Sequence, residues 1–211
     1  MASTLVAAIA LSLLWSCLGA WALPRLTFGA AVMPLDGWVL GALSLSVPVA
    51  GALAGQTGLL FWAGCGLGWG LVLLGCVDLR AYRLPDMLTL PLILMGLALS
   101  LAGRTGPALE HLGAAGGGVA LLYGLDAGYR ALRGRMGMGR GDAKLLAAGG
   151  AWTGGLGLLS IVFLSALIGL AAALIAQRGR FDGAAPVPFG PALALGIWIT
   201  WLVGPVLIRL P

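Results

Sequence analysis

The chain has 211 residues, 60% of them hydrophobic and 9% charged, with a formal net charge of +5 and a mean hydropathy of +1.04. Soluble domains carry about 25% charged residues, so an ordinary water-soluble fold is excluded. Backbone that faces lipid must satisfy its own hydrogen bonds, which leaves helices or a closed barrel. The apolar runs are roughly 15 to 21 residues long and lack a period of two, which selects helices.

The expectation is an all-α, polytopic membrane protein with about eight transmembrane helices, forming one domain over residues 1–211. In chain order the apolar runs are 5–23, 37–55, 57–77, 87–103, 112–131, 143–157, 158–176 and 190–208. The first ends in Ala20-Trp21-Ala22, which looks like a cleavage site, but it lacks a basic leading region and is read as a retained helix. Gly66, Gly68 and Gly116 to Gly118 are read as points of close helix approach. The boundary between the sixth and seventh runs falls within Gly154-Gly155-Leu156-Gly157, where no charge marks a turn.

Lys and Arg residues set the expected orientation. If all eight runs span and the amino terminus is outside, one face receives Arg25, Arg80, Arg83, Arg130, Arg133, Arg135, Arg140, Lys144, Arg178 and Arg180. The other receives Arg104 and Arg209. The basic face is therefore expected in the cytoplasm, with both termini outside it. The positive charge reports topology and contact with membrane lipids, not nucleic-acid binding. Cys17, Cys65 and Cys76 form no Cys-x-x-Cys pair, so no zinc site, disulfide framework or other cofactor is expected.

Only seven acidic residues occur, and a carboxylate at a membrane boundary is costly enough to suggest chemistry. Asp78 ends the third apolar run, ahead of Leu84-Pro85-Asp86-Met87-Leu88-Thr89. Asp142 lies in Gly139-Arg140-Gly141-Asp142-Ala143-Lys144, ahead of the sixth. The topology puts both at the cytoplasmic face, where two close carboxylates would share a proton, one serving as general base and the other as general acid. Glycines beside Asp142 leave room for an extended peptide. Pro85 ends the preceding helix, and Asp86 is read as an N-cap of the fourth. Asp126 and Arg130 have the spacing of a helical ion pair, and Asp36 and Asp182 are placed in loops. Glu110 and His111, the one histidine, are expected in a solvated loop on the opposite face. A transporter built on these acids would place them near the bilayer midplane within inverted repeats, and no repeat is visible.

At these motifs the chain resembles the type IV prepilin leader peptidases, membrane aspartic proteases of the Gly-x-Gly-Asp class. The resemblance rests on Asp78 followed by Pro85-Asp86-Met87-Leu88-Thr89, on Gly139 to Lys144, on the continuation to Gly154, and on Pro188-Phe189-Gly190-Pro191. It implies catalysis by Asp78 and Asp142, with Gly139, Gly141, Lys144, Pro85, Asp86 and Thr89 binding substrate or supporting the site. The implied substrate is a prepilin or pseudopilin of a type IV pilus or type II secretion system, whose short basic leader ends in Gly before an apolar helix. A presenilin-like protease acting within the bilayer shares the Gly-x-Gly-Asp element, whereas Pro-Asp-x-x-Thr favours the prepilin type. Many family members carry two Cys-x-x-Cys pairs in a cytoplasmic domain after the first helix, which accompanies N-methylation of the trimmed product. Here residues 24–36 stand in its place without a cysteine, which puts the methyltransferase activity in doubt.

Overall fold

The computed structural model describes residues 2–27, 34–134, 139–176 and 188–206. All the regular structure among them is helical: α1 (Ala2–Leu26), α2 (Pro34–Leu53), α3 (Gly58–Ala81), α4 (Asp86–Leu101), α5 (Ala108–Arg133), α6 (Arg140–Ala176) and α7 (Gly190–Val203). Helices α1, α3 and α6 are long and apolar enough to cross a bilayer. The protein is an integral membrane protein. Helix α2 starts at Pro34, so the backbone of Asp36 is helical and not in a loop as expected. Asp182, Arg135, Arg178, Arg180 and Arg209 lie outside the described residues.

Among the described residues seven helical elements stand where eight apolar runs were read, because the sixth and seventh runs form one element broken at Gly154, with φ 71° and ψ −172°. The chain reverses there. A Cβ built on Gly149 would lie 2.8 Å from Ile161 Cδ1, whereas a continuous helix would hold these positions about 18 Å apart. A positive φ combined with ψ near 180° is essentially confined to glycine, which explains a sharp turn with no polar linker.

Two neighbouring side chains complete the break. A continuous helix would pair the Gly155 N–H with the Ala151 carbonyl. Here Gly155 N–H donates to Glu110 Oε1 at 3.3 Å, and the Ala151 carbonyl lies 2.9 Å from His111 Nδ1. His111 is buried within α5. The solvated-loop expectation for this pair is thus wrong: the charge-poor turn needs partners for its own backbone, and these two residues supply them.

Lipid tails are as apolar as leucine, so the bundle is held by close packing and interhelical hydrogen bonds. Helix α5 packs chiefly on α6, which also contacts α4 and α7, while α3 packs on α7 and α2. A Cβ on Gly150 would sit 2.6 Å from the Ala114 backbone, so these two helices touch main chain to main chain. Gly118 likewise meets the backbone of Leu146 and Ala147, and Gly68 admits the Val47 and Trp198 side chains, as expected of close approaches, whereas Gly116 faces open space. Trp152, fully buried, donates from Nε1 to the Leu92 carbonyl at 2.8 Å and ties α6 to α4. Trp69 donates to Ser12 Oγ at 3.2 Å, tying α3 to α1.

Candidate active site

The antiparallel packing brings the last turn of α3, the first turns of α4 and α6 and the start of α7 to one end of the bundle. Asp78 lies on that last turn of α3 and Asp142 on the first turn of α6. Both are buried, at 6% and 9% exposure, although carboxylates are seldom buried unless paired or functional. Both line one cleft of about 600 Å³, together with Tyr82, Arg83, Pro85 and Arg140. The charge of Asp78 is felt at Asp142.

Asp78 Oδ2 accepts the backbone N–H of Gly190 at 3.0 Å, across 112 positions of chain. Gly190 begins α7, with Pro191 in its first turn. Sequence reasoning gave Gly190 no role. The available signal was a glycine just ahead of a proline at a helix start, where a first-turn amide has no helical acceptor.

The link between α3 and α4 is shaped to meet α6. Tyr82 closes α3 in the left-handed region at φ 51°, its amide returning to the Asp78 carbonyl at 2.9 Å. Leu84 then turns inward against Gly141, where a Cβ would come 2.7 Å from Leu84 Cβ. The space beside Gly141 is therefore taken by the protein's own Leu84 and not left open for a peptide. Neither Gly139 nor Gly141 has a positive φ, so proximity and not unusual backbone explains them. A Cβ on Gly139 would lie 3.3 Å from Asp142 Oδ2, so that glycine does keep the carboxylate uncrowded.

Pro85 is extended at φ −70° and stands at the cap position of α4, whereas α3 ends earlier than expected, at Ala81, where the left-handed Tyr82 and not the proline stops it. Asp86 is not an N-cap: it is the first residue of α4, the cap position belongs to Pro85, and its carboxylate pairs with Lys144 Nζ at 2.5 Å. This ion pair joins the Pro-Asp-x-x-Thr element to the Gly-x-Gly-Asp-x-Lys element at the cleft. Thr89 is fully buried, does not line the cleft, and lies 3.5 Å by Oγ1 from the Pro85 carbonyl, bracing the first turn of α4. Asp126 and Arg130 form the expected i,i+4 pair at 2.5 Å. Among the described residues no group of His, Cys, Asp and Glu is arranged to hold a metal.

The type IV leader peptidase family model matches residues 65–174, just over half of the chain and inclusive of both acids. The chain belongs to that family. Relatives of this leader peptidase family member include a Xanthomonas campestris pv. campestris protein, 41% identical over 151 residues, covering 66% of this chain and 52% of its own length. One from Aeromonas hydrophila is 41% identical over 167 residues, covering 78% of this chain and 57% of its own. Another from Neisseria gonorrhoeae is 38% identical over 172 residues, covering 74% and 57%. Each is named a prepilin leader peptidase/N-methyltransferase. The chain thus spans somewhat over half the length of these relatives. No solved structure matches it.

Proposed function

We propose that this chain is an aspartic endopeptidase that removes the short basic leader from type IV prepilins or pseudopilins, with Asp78 and Asp142 as its catalytic pair. The observation that carries the reading is the meeting of two buried acids, each inside the family-matched segment, in a single open cleft. One carboxylate takes a proton from water as the water oxygen attacks the scissile carbonyl carbon. The other carboxyl group protonates the carbonyl oxygen. On collapse the C–N bond breaks, the amine receives the proton taken from water, and the second acid regains its own.

In this reading residues 1–211 act as one unit, and the two halves of α6 span separately, giving eight crossings. The cleft then faces the cytoplasm and both termini face away, because Arg80, Arg83, Arg140 and Lys144 gather at the cleft end while Arg104 lies beyond α4 at the other. The Gly139, Gly141 and Pro85 contacts and the Asp86–Lys144 pair hold the two motifs together, with Thr89 behind them.

Coexpression with a type IV prepilin tests the activity. A leader-shortened product that depends on this chain is expected, and an unchanged prepilin would refute the reading. Reporter fusions after Arg104 and after Gly134 test the orientation, with the cytoplasmic signal expected at Gly134 only.

A further inference from the structure

We propose that Gly190 is a positioning residue for Asp78: its backbone amide holds Asp78 as the ionised, water-activating member of the pair and leaves the shared proton on Asp142. The proposal rests on the reading of these two acids as the catalytic pair.

The N–H of Gly190 reaches Asp78 Oδ2 at 3.0 Å, in a buried setting. As the first residue of a 14-residue helix it carries one of the amides that has no helical acceptor, at the positive end of the helix dipole. Asp78 needs such a partner. It stands on the last turn of α3, where the dipole of its own helix disfavours an anion. An amide only donates, so it keeps a proton off Oδ2 and leaves Oδ1 as the oxygen not held by the backbone. Among the described residues the backbone hydrogen bond to Asp142 comes from Gly139, beside its own turn, and not from another helix.

Glycine at this position is dictated by Asp78 and not by backbone conformation. The φ of Gly190 is not positive, yet a Cβ there would lie 2.6 Å from Asp78 Oδ2 and 2.8 Å from its Cγ. Any side chain would displace the carboxylate.

The other titratable groups around the cleft are Arg140, Asp142 and Lys144 on α6, Asp86 on α4, and Tyr82 and Arg83 in the link. Lys144 is engaged by Asp86, and Arg140 is exposed at the rim. These cations favour ionisation within the cleft as a whole, whereas the Gly190 amide acts on Asp78 alone.

The test replaces Gly190 by glycolic acid in the full chain, exchanging the amide N–H for an ester oxygen without adding a side chain. The substrate is a recombinant type IV prepilin that the wild-type chain cleaves. Losing a hydrogen bond to a charged group should lower kcat about tenfold or more. KM should stay within about twofold, and the acidic limb of the pH–activity profile should move to higher pH. Gly190→Ala, as a second variant, should show the same movement of the limb with a larger loss of kcat.

Wild-type kcat in the ester variant would overturn the proposal, and so would a reduced kcat with an unmoved acidic limb. Should Asp78→Asn itself still cleave, it is the catalytic pair that falls, a result separable from failure at Gly190.

Discussion

The two ends of the bundle use the same local device for different ends. At one end Asp78 receives the first amide of α7, and at the other Glu110 receives the amide that opens the second half of α6. Both carboxylates therefore sit at a helix start, where an anion is favoured. What separates them is company. Asp78 is buried and shares a cleft of about 600 Å³ with a second buried acid, whereas Glu110 is exposed and is followed by an imidazole committed to the Ala151 carbonyl. A carboxylate on a helix start is thus a structural fitting until a second acid and an accessible cavity join it.

The sharpest way to break this comparison is to remove each acid in turn. Asp78→Asn and Asp142→Asn should each lower cleavage by about 10²–10⁴-fold or more while the protein stays in the membrane fraction. The double variant should be no worse than either single, since the two work as one unit. Retained cleavage in either single would place that residue with Glu110 as a structural acid. The wild-type rate should trace a bell against pH, because the pair works only with one proton between its two members.

Next in size is Gly141→Ala. Its new Cβ meets Leu84 at 2.7 Å and pushes the α3–α4 link away from Asp142. Misplacement on this scale can cost about 10²-fold in rate, so kcat should drop steeply with little change in thermal stability. Normal turnover would mean that the Leu84 contact does not set the acid geometry.

His111→Ala should do the reverse. It strips a buried partner from the Ala151 carbonyl, which costs about 1–3 kcal/mol in stability, read as a lower melting temperature in detergent with unchanged kcat. A selective loss of kcat would show that the two ends are coupled. Smallest of all is Lys144→Ala: the pair with Asp86 is substantially exposed and worth about 0–1 kcal/mol, so cleavage should change by a few-fold at most. A collapse of activity would move Lys144 from the rim of the site into its chemistry.

The acids were legible in the sequence because charge is so scarce. With seven acidic residues, Asp78 and Asp142 stand out by their placement at the ends of apolar runs, and the antiparallel packing then follows from short connections. Less legible was anything carried by the backbone. The reversal at Gly154 leaves no polar trace, so hydropathy marks the seam within Gly154-Gly155-Leu156-Gly157 without revealing how it is bonded. Glu110 and His111 read as loop residues because their partners are main-chain groups 45 and 40 positions away. Asp86 read as a cap because the local pattern of Asp after Pro ignores Lys144, whose position depends on the register of α4 against α6. The role of Gly190 toward Asp78 leaves no mark of its own in the sequence, since a glycine amide looks the same wherever it occurs.

The lengths of the helices around the cleft bear on how water arrives. Helix α3 has 24 residues, about 36 Å of rise, but α4 has 16 and α7 has 14, about 24 and 21 Å. A hydrocarbon slab is about 30 Å thick, so the two shorter helices fall short of it. Both start at the cleft. A bilayer accommodates such a mismatch by thinning locally, which draws the headgroup layer toward the short helices. In the proposed orientation, the acids then lie at the floor of a shallow dimple in the leaflet, and hydrolytic water reaches them from the headgroup region without crossing acyl chains.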